Sequence, residues 1–158
     1  MIRKLEQNDV LEAANLMDKT NMDDYFHGYD RNEAVWIKFF IELVQGQLQG
    51  DPNYLAVGSF DSDGKMVGFL TAKTFNNYYT NEPIMDVKDC IIDPANEGRN
   101  GFIVARLFDY MIEHTKSHGG SQWRADSIHS FAKAEKYAKF LQKRYDAAIH
   151  TSVRGVIK

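Results

Sequence analysis

Asp93-Pro94-Ala95-Asn96-Glu97-Gly98-Arg99-Asn100-Gly101 is the stretch of sequence that decides the fold. It follows a short apolar segment with strand character, 87–92, and it runs directly into an amphipathic segment, 102–118. A helix N-terminus offers unpaired backbone N–H groups and a partial positive charge, and glycines beside it let the backbone approach an anion closely. The layout therefore predicts a binding site for a phosphate or pyrophosphate, although many strand-to-helix turns carry a glycine and bind nothing.

The composition narrows the class of protein. A chain of 158 residues with 44% hydrophobic and 13% aromatic residues is typical of one folded domain, here 1–158. The net charge of −3 gives no basic surface for nucleic acid, and no apolar run reaches the roughly 20 residues that span a bilayer. The N-terminus shows no signal-peptide pattern. We therefore expect a cytoplasmic protein without a nucleic-acid or membrane partner.

The hydrophobic periods predict the element order β-α-α-β-β-β-α-β-α-β and hence a mixed α/β domain of the α+β class. Asp30 begins a pattern that resembles a capping box, which predicts the start of the second helix. The predicted strands are 2–6, 53–60, 65–75, 84–92, 122–128 and 147–157, and the predicted helices are 9–19, 31–49, 102–118 and 130–144.

This order, with a phosphate-type turn after the fourth strand, resembles the Gcn5-related N-acetyltransferase (GNAT) family over nearly the whole chain. The segment 91–94, Ile-Ile-Asp-Pro, is similar to the family's strand end V-D-P, and 98–103 occupies the place of its pyrophosphate loop, Q/R-x-x-G-x-G/A. Two positions depart from that loop: Gly98 replaces the Gln or Arg, and Ile103 replaces the second small residue. The resemblance implies a GNAT-like acyl-CoA N-acyltransferase fold, a central mixed sheet flanked by helices.

The same resemblance implies acetyl-CoA as co-substrate and no metal. Its pantetheine arm would lie between the fourth and fifth strands, and its pyrophosphate would bind backbone amides of the turn. The five histidines show no metal-ligand spacing. The implied cofactor-binding residues are Cys90, Ile91, Ile92, Gly98, Arg99, Asn100, Gly101, Phe102 and Ile103.

Direct transfer of an acetyl group to an amine requires a base for the amine and an acid for the leaving thiolate. Asp89 is the first candidate base; Asp86, three residues earlier, would point to the opposite face of a regular strand. His129 is the second candidate base, and Tyr137 is the nominal acid. Each also has an ordinary interpretation: a structural carboxylate, a surface histidine and a packing tyrosine. Cys90 is not required as a nucleophile, and its ordinary interpretation is a buried core thiol.

The acceptor is a primary amine on a small molecule or a peptide. The segments 22–30 and 78–82 are acidic and aromatic, which suits a cationic amine but equally suits solvated loops anchored by aromatic side chains. A degenerate GNAT fold that only binds CoA, or that works through a partner protein, is the alternative. A homodimer is expected by analogy with the family.

Overall fold

The structure, a computed structural model, describes residues 1–20, 32–125 and 131–149. Within them the chain forms five strands and four α-helices, joined in part by 3-10 turns. The elements are β1 Ile2–Lys4, a 3-10 turn Gln7–Asp9, α1 Val10–Lys19, α2 Glu33–Leu48, β2 Tyr54–Phe60, β3 Met66–Asn76, β4 Pro83–Ile92, a 3-10 turn Pro94–Arg99, α3 Asn100–Ser117, β5 Gln122–Ala125 and α4 Phe131–Tyr145.

The five strands form one mixed sheet in the order β1-β2-β3-β4-β5. The first three pairings are antiparallel, and β5 pairs with β4 in parallel. This arrangement follows from the connections, because short turns join β2 to β3 and β3 to β4, whereas α3 provides the crossover from β4 to β5. The predicted α+β class with a central mixed sheet is confirmed.

Helices cover both faces of the sheet. Phe69 on β3 packs edge-on against Phe40 of α2, with ring centroids 5.7 Å apart. The next residue back, Gly68, faces Ile103 of α3. Neighbouring residues of a strand point to opposite faces, so α2 and α3 lie on opposite sides. This explains why β2 and β3 are buried almost throughout.

The chain divides into two compact units, Met1–Asp126 and Ser127–Lys158. The sheet and the first three α-helices lie in the first unit, and α4 lies in the second. The single domain predicted for 1–158 remains a prediction. Of the predicted last strand, residues 147–149 are irregular, and the remainder lies outside the described residues.

Helix α2 begins later than the sequence pattern indicates. Asn32 is its N-cap and accepts a hydrogen bond from the backbone N–H of Val35 at 3.2 Å, whereas the predicted cap, Asp30, lies outside the described residues. Phe40 is buried, and Trp36 is half-buried.

Gln47 of α2 is a buried polar residue that the hydrophobic pattern did not reveal. Its Nε2 donates to the carbonyl oxygen of Leu5 at 3.0 Å, and its Oε1 accepts from the N–H of Ala56 at 2.9 Å. Leu5 N–H in turn donates to the Ala56 carbonyl oxygen. The side-chain amide thus completes the β1–β2 ladder just after β1 ends, and it ties α2 to the sheet.

Replacing Gln47 should therefore cost more than a surface substitution. Gln47→Ala leaves the Leu5 carbonyl and the Ala56 N–H buried without partners, and we expect a loss of about 2 kcal/mol in the free energy of unfolding. Gln45→Ala, on the exposed side of the same helix, is the matched control and should change it by less than about 0.5 kcal/mol. Urea denaturation measures both, and equal effects would contradict the bridging role.

Candidate active site

Strand β4 contains one residue more than its partner β3. Thr71 pairs with Asp89 and Ala72 pairs with Val87, so Lys88 lies in β4 without an opposite residue on β3. This two-against-one register is a β-bulge. The bulge lies where the described pairing of β4 with β5 ends, since the last pair of that ladder is Val87 and Ala125.

The bulge places two carboxylates on one face of the sheet. Asp86 lies opposite Lys73, and Asp89 lies opposite Thr71. Lys73 and Thr71 are two residues apart in a regular part of β3, so they share a face, and their partners share it too. The prediction that Asp86 and Asp89 point to opposite faces is therefore wrong, because the extra residue Lys88 resets the alternation between them.

Asp89 is buried among neutral donors. It is only 8% exposed, and its Oδ2 accepts a hydrogen bond of 2.6 Å from the Thr71 hydroxyl. Burial raises the pKa of the Asp89 carboxyl, against the opposing influence of Thr71, the Trp36 indole and the Lys88 charge. The buried Trp36 Nε1 makes no hydrogen bond of normal geometry with any described residue. The carboxyl therefore lies under the first turn of α2, in surroundings that favour its protonated form.

Asp86 is equally buried but is surrounded by cations. Its oxygens accept hydrogen bonds of 3.0 Å each from Nε and Nη2 of Arg124 on β5, and Lys88 Nζ also contacts Oδ2. A planar guanidinium matches a carboxylate with two parallel hydrogen bonds. The two carboxylates of this face therefore differ in their surroundings, since Asp86 contacts two cations and Asp89 is buried without an equivalent partner.

The predicted cofactor strand segment lies beyond the β4–β5 ladder. Beyond the unpaired Lys88, the antiparallel pairing of β4 with β3 continues for four residues, from Asp89 to Ile92. Ile91 is buried, whereas Cys90 and Ile92 are half-buried. In the described part of the chain, the β5 ladder covers only Ile84 to Val87. Up to Ala125, where the described part of β5 ends, the two strands therefore pair over the first half of β4 alone.

The turn after β4 is fixed by Asp93. Its side chain accepts from Ala95 N–H at 3.0 Å, and its own N–H donates to the Val67 carbonyl oxygen at 2.9 Å. Helix α3 then begins at Asn100 with Arg99 as N-cap, and no side chain caps its first amides. A side chain at Gly98 would meet nothing within 4 Å. The first turn of α3 is therefore open where an anion would bind.

Residues 98–103 divide into an exposed and a packed group. Arg99, Gly101 and Phe102 are exposed. Asn100 has a buried side-chain oxygen, Oδ1, with no hydrogen-bond partner among the described residues. Ile103 is only 5% exposed and fills the space beside Gly68, where an added Cβ would lie 3.1 Å from its Cγ2. Ile103 is the fourth residue after the N-cap, so its backbone N–H donates a hydrogen bond within the helix. Ile103 is therefore a packing residue.

The other two predicted catalytic residues, His129 and Tyr137, remain predictions. His129 lies outside the described residues. Tyr137 is half-buried on α4, in the second compact unit. The described residues contain no cluster of three or more potential metal ligands, and no described helix has the length and apolar character needed to cross a membrane.

Sequence comparison gives no relative. No protein-family model matches the chain, and no curated protein sequence matches it. Solved structures do resemble it. A ribosomal-protein-alanine N-acetyltransferase from Brucella melitensis is 19% identical, with a TM-score of 0.65 over 100% of this chain and 99% of that one.

Two further structures extend the comparison. Glucosamine-6-phosphate N-acetyltransferase from Arabidopsis thaliana is 14% identical, with a TM-score of 0.58 over 98% and 97% of the two chains. A transcriptional regulator from Bacillus halodurans is 15% identical, with a TM-score of 0.73 over 99% of each chain. These likenesses show that the chain has the GNAT acetyltransferase fold.

The features missed by sequence analysis are Thr71, Trp36 and the bulge at Lys88. Thr71 and Trp36 lie far from Asp89 in sequence and reach it only through strand pairing and helix packing. No local residue marks this bulge in the sequence, because Lys88 is not a glycine and does not follow a proline.

The two buried carboxylates should respond oppositely to neutralisation. The raised pKa of Asp89 means that the folded state holds this proton more tightly than the unfolded state, so stability falls as pH rises above the unfolded value of about 3.9. Asp89→Asn removes that fall, and we expect the variant to be more stable than the parent at pH 7. Urea denaturation between pH 4.5 and 8 measures this.

Asp86→Asn is the matched control on the same strand and face. It removes the charge that binds Arg124 and Lys88, so we expect a loss of about 2 kcal/mol in the free energy of unfolding at pH 7. Destabilisation by both substitutions to the same extent would contradict the difference between the two environments.

Proposed function

We propose that this chain is a GNAT-family enzyme that moves an acetyl group from acetyl-CoA to a primary amine by direct attack. The observation that supports it best is the position of Asp89. A buried carboxyl with a raised pKa follows a β-bulge, at the point where the β4–β5 ladder ends, within an acetyltransferase fold. Perturbed carboxyl groups of this kind mark candidate active sites.

The turn and the start of α3 fit the co-substrate. The uncapped first turn, from Asn100 to Phe102, offers backbone N–H groups to a pyrophosphate, and the exposed Arg99 adds a positive charge. Gly98 leaves open space beside it. The edge of β4 at Ile91 and Ile92 would hold the pantetheine arm. Acetyl-CoA supplies the activated thioester, and no covalent enzyme intermediate is required.

Asp89 would take the proton from the amine, directly or through a water molecule. A carboxyl whose pKa is raised is, in its ionised form, a stronger base than an ordinary aspartate. Thr71 orients the carboxyl through its hydrogen bond. Trp36 provides a second donor nearby for the ionised form. His129 as an alternative base and Tyr137 as the acid remain part of the proposal.

One observation favours the second candidate function, a CoA-binding or protein-interaction module without catalysis. Asp89 is 8% exposed and lies under α2, whereas a general base needs a path for the proton. If Asp89 is only a buried structural group, the fold can bind CoA and transfer nothing. The two functions differ in turnover and not in cofactor binding.

Cofactor binding is the first test. Isothermal titration calorimetry with acetyl-CoA should show one site, and Arg99→Gln should weaken binding roughly tenfold through loss of a charge-assisted contact. Lys116→Gln removes one charge from the far end of the same helix and is the control, with unchanged affinity. No binding at near-millimolar acetyl-CoA would rule out the acetyltransferase and the CoA-binding module, and it would leave the protein-interaction module.

Turnover is the second test, measured as CoA release with a broad panel of amines. We expect Asp89→Asn to lower kcat at least 100-fold with unchanged acetyl-CoA affinity, since general-base catalysis supplies about 10²- to 10⁴-fold. The parent's rate should rise with pH through a pKa above the usual aspartate range. Full activity in Asp89→Asn together with loss in His129→Gln would transfer the role of base to His129. Cofactor binding without turnover of any amine would favour the non-catalytic module.

A further inference from the structure

Lys88 is a cation that the buried carboxylate beside it does not need for charge balance. Its described carboxylate partner is Asp86, which already accepts both hydrogen bonds of the Arg124 guanidinium. One guanidinium neutralises one carboxylate and fills its best hydrogen-bonding directions. The ammonium group of Lys88 therefore brings a second positive charge to a carboxylate that Arg124 already binds.

Two other described charges near this face have partners of their own. Lys73 is bound to Glu42 at 2.8 Å. Glu82 is exposed and accepts a hydrogen bond from Gln122, and it lies six residues before Lys88, roughly 20 Å away along a strand. Asp89 is adjacent, but it is buried and its Oδ2 accepts a hydrogen bond from the Thr71 hydroxyl. Among the described residues, the carboxylate that Lys88 contacts is therefore Asp86, which Arg124 also binds.

Lys88 lies far from the proposed pyrophosphate-binding site. The strand from Lys88 to Ile92 alone spans about 13 Å, and the turn 93–99 follows before α3 begins. The Lys88 side chain is 40% exposed, whereas the Asp86 side chain that it contacts is 4% exposed. The ammonium group can therefore reach a ligand beside Asp89 but not one at the start of α3.

We propose that Lys88 binds an anionic group, a carboxylate or a phosphate, on the amine acceptor. This inference rests on the proposed function and specifies its substrate class: an amine that carries its own negative charge, as an amino acid, a peptide terminus or an amino sugar phosphate does. It differs from the cationic acceptor that the acidic and aromatic segments 22–30 and 78–82 suggested. Because the bulge residue is next to the candidate base, the anion would hold the amine beside Asp89.

The experiment compares acceptors in matched pairs, each amine with and without its anion. Alanine against alaninamide tests a carboxylate, and glucosamine 6-phosphate against glucosamine tests a phosphate; a polyamine represents the cationic class. CoA release is measured for the parent, for Lys88→Gln, and for Lys116→Gln as the control that removes a lysine charge elsewhere.

We expect the parent to have the lower KM for the anionic member of at least one pair. Lys88→Gln should raise that KM about tenfold while changing the KM of the uncharged member much less, and Lys116→Gln should change neither. The affinity for acetyl-CoA should stay the same in all three proteins. This result would distinguish the Lys88 site from the cofactor-binding site.

A preference for the uncharged or polyamine acceptors would overturn the inference while leaving the proposed function intact. An equal effect of Lys88→Gln on the KM of the anionic and the uncharged member of a pair would have the same consequence. If acetyl-CoA binds but no amine is turned over, the N-acetylated products of each pair are titrated in the presence of CoA. Equal affinity for the charged and uncharged products would then overturn the inference. Failure of acetyl-CoA to bind at all is failure of the proposed function itself.

Discussion

The offset of one residue between β3 and β4 sets the chemistry of the site. With Thr71 paired to Asp89 and Ala72 paired to Val87, the strand must accommodate Lys88 outside the regular alternation. Asp89 is thereby turned to the face that carries Asp86, under the first turn of α2, where burial raises its pKa. In a strand without this offset, Asp89 would lie on the face covered by α3, away from Thr71 and Trp36.

The two buried carboxylates illustrate how surroundings divide roles between identical side chains. Asp86 joins β4 to β5 through the Arg124 guanidinium, so its negative charge stabilises the sheet. Asp89 accepts a hydrogen bond from the neutral Thr71 hydroxyl, which cannot compensate a charge to the same extent. A protein that needed only stability would gain from an uncharged residue at the second position. The proposed role of Asp89 in proton transfer would account for an aspartate at this position.

Sequence patterns were sufficient for the architecture and insufficient for the site. The change from a period of 3.6 to a period of two and the glycine-bracketed turn before α3 predicted the position of nearly every helix and strand to within a few residues. These features are local. The face of the sheet on which Asp89 lies is not a local property, since it depends on the register between two strands, which no single segment specifies. Gln47 escaped notice for a related reason, because its partners Leu5 and Ala56 become neighbours only when α2 docks on the sheet.

Gly68 has a consequence well beyond its own strand. A methyl group at this position would lie 2.8 Å from Cδ1 of Ile92 and 2.9 Å from the carbonyl oxygen of Ile91. The second of these atoms belongs to the backbone, so relief would require the end of β4 to move away from β3 rather than a side chain to rotate. The end of β4 is where the chain leaves the sheet towards α3. Because Gly68 has no Cβ, the end of β4 can lie close to β3. Since α3 follows the end of β4, this residue also determines how close to the sheet the first turn of α3 lies.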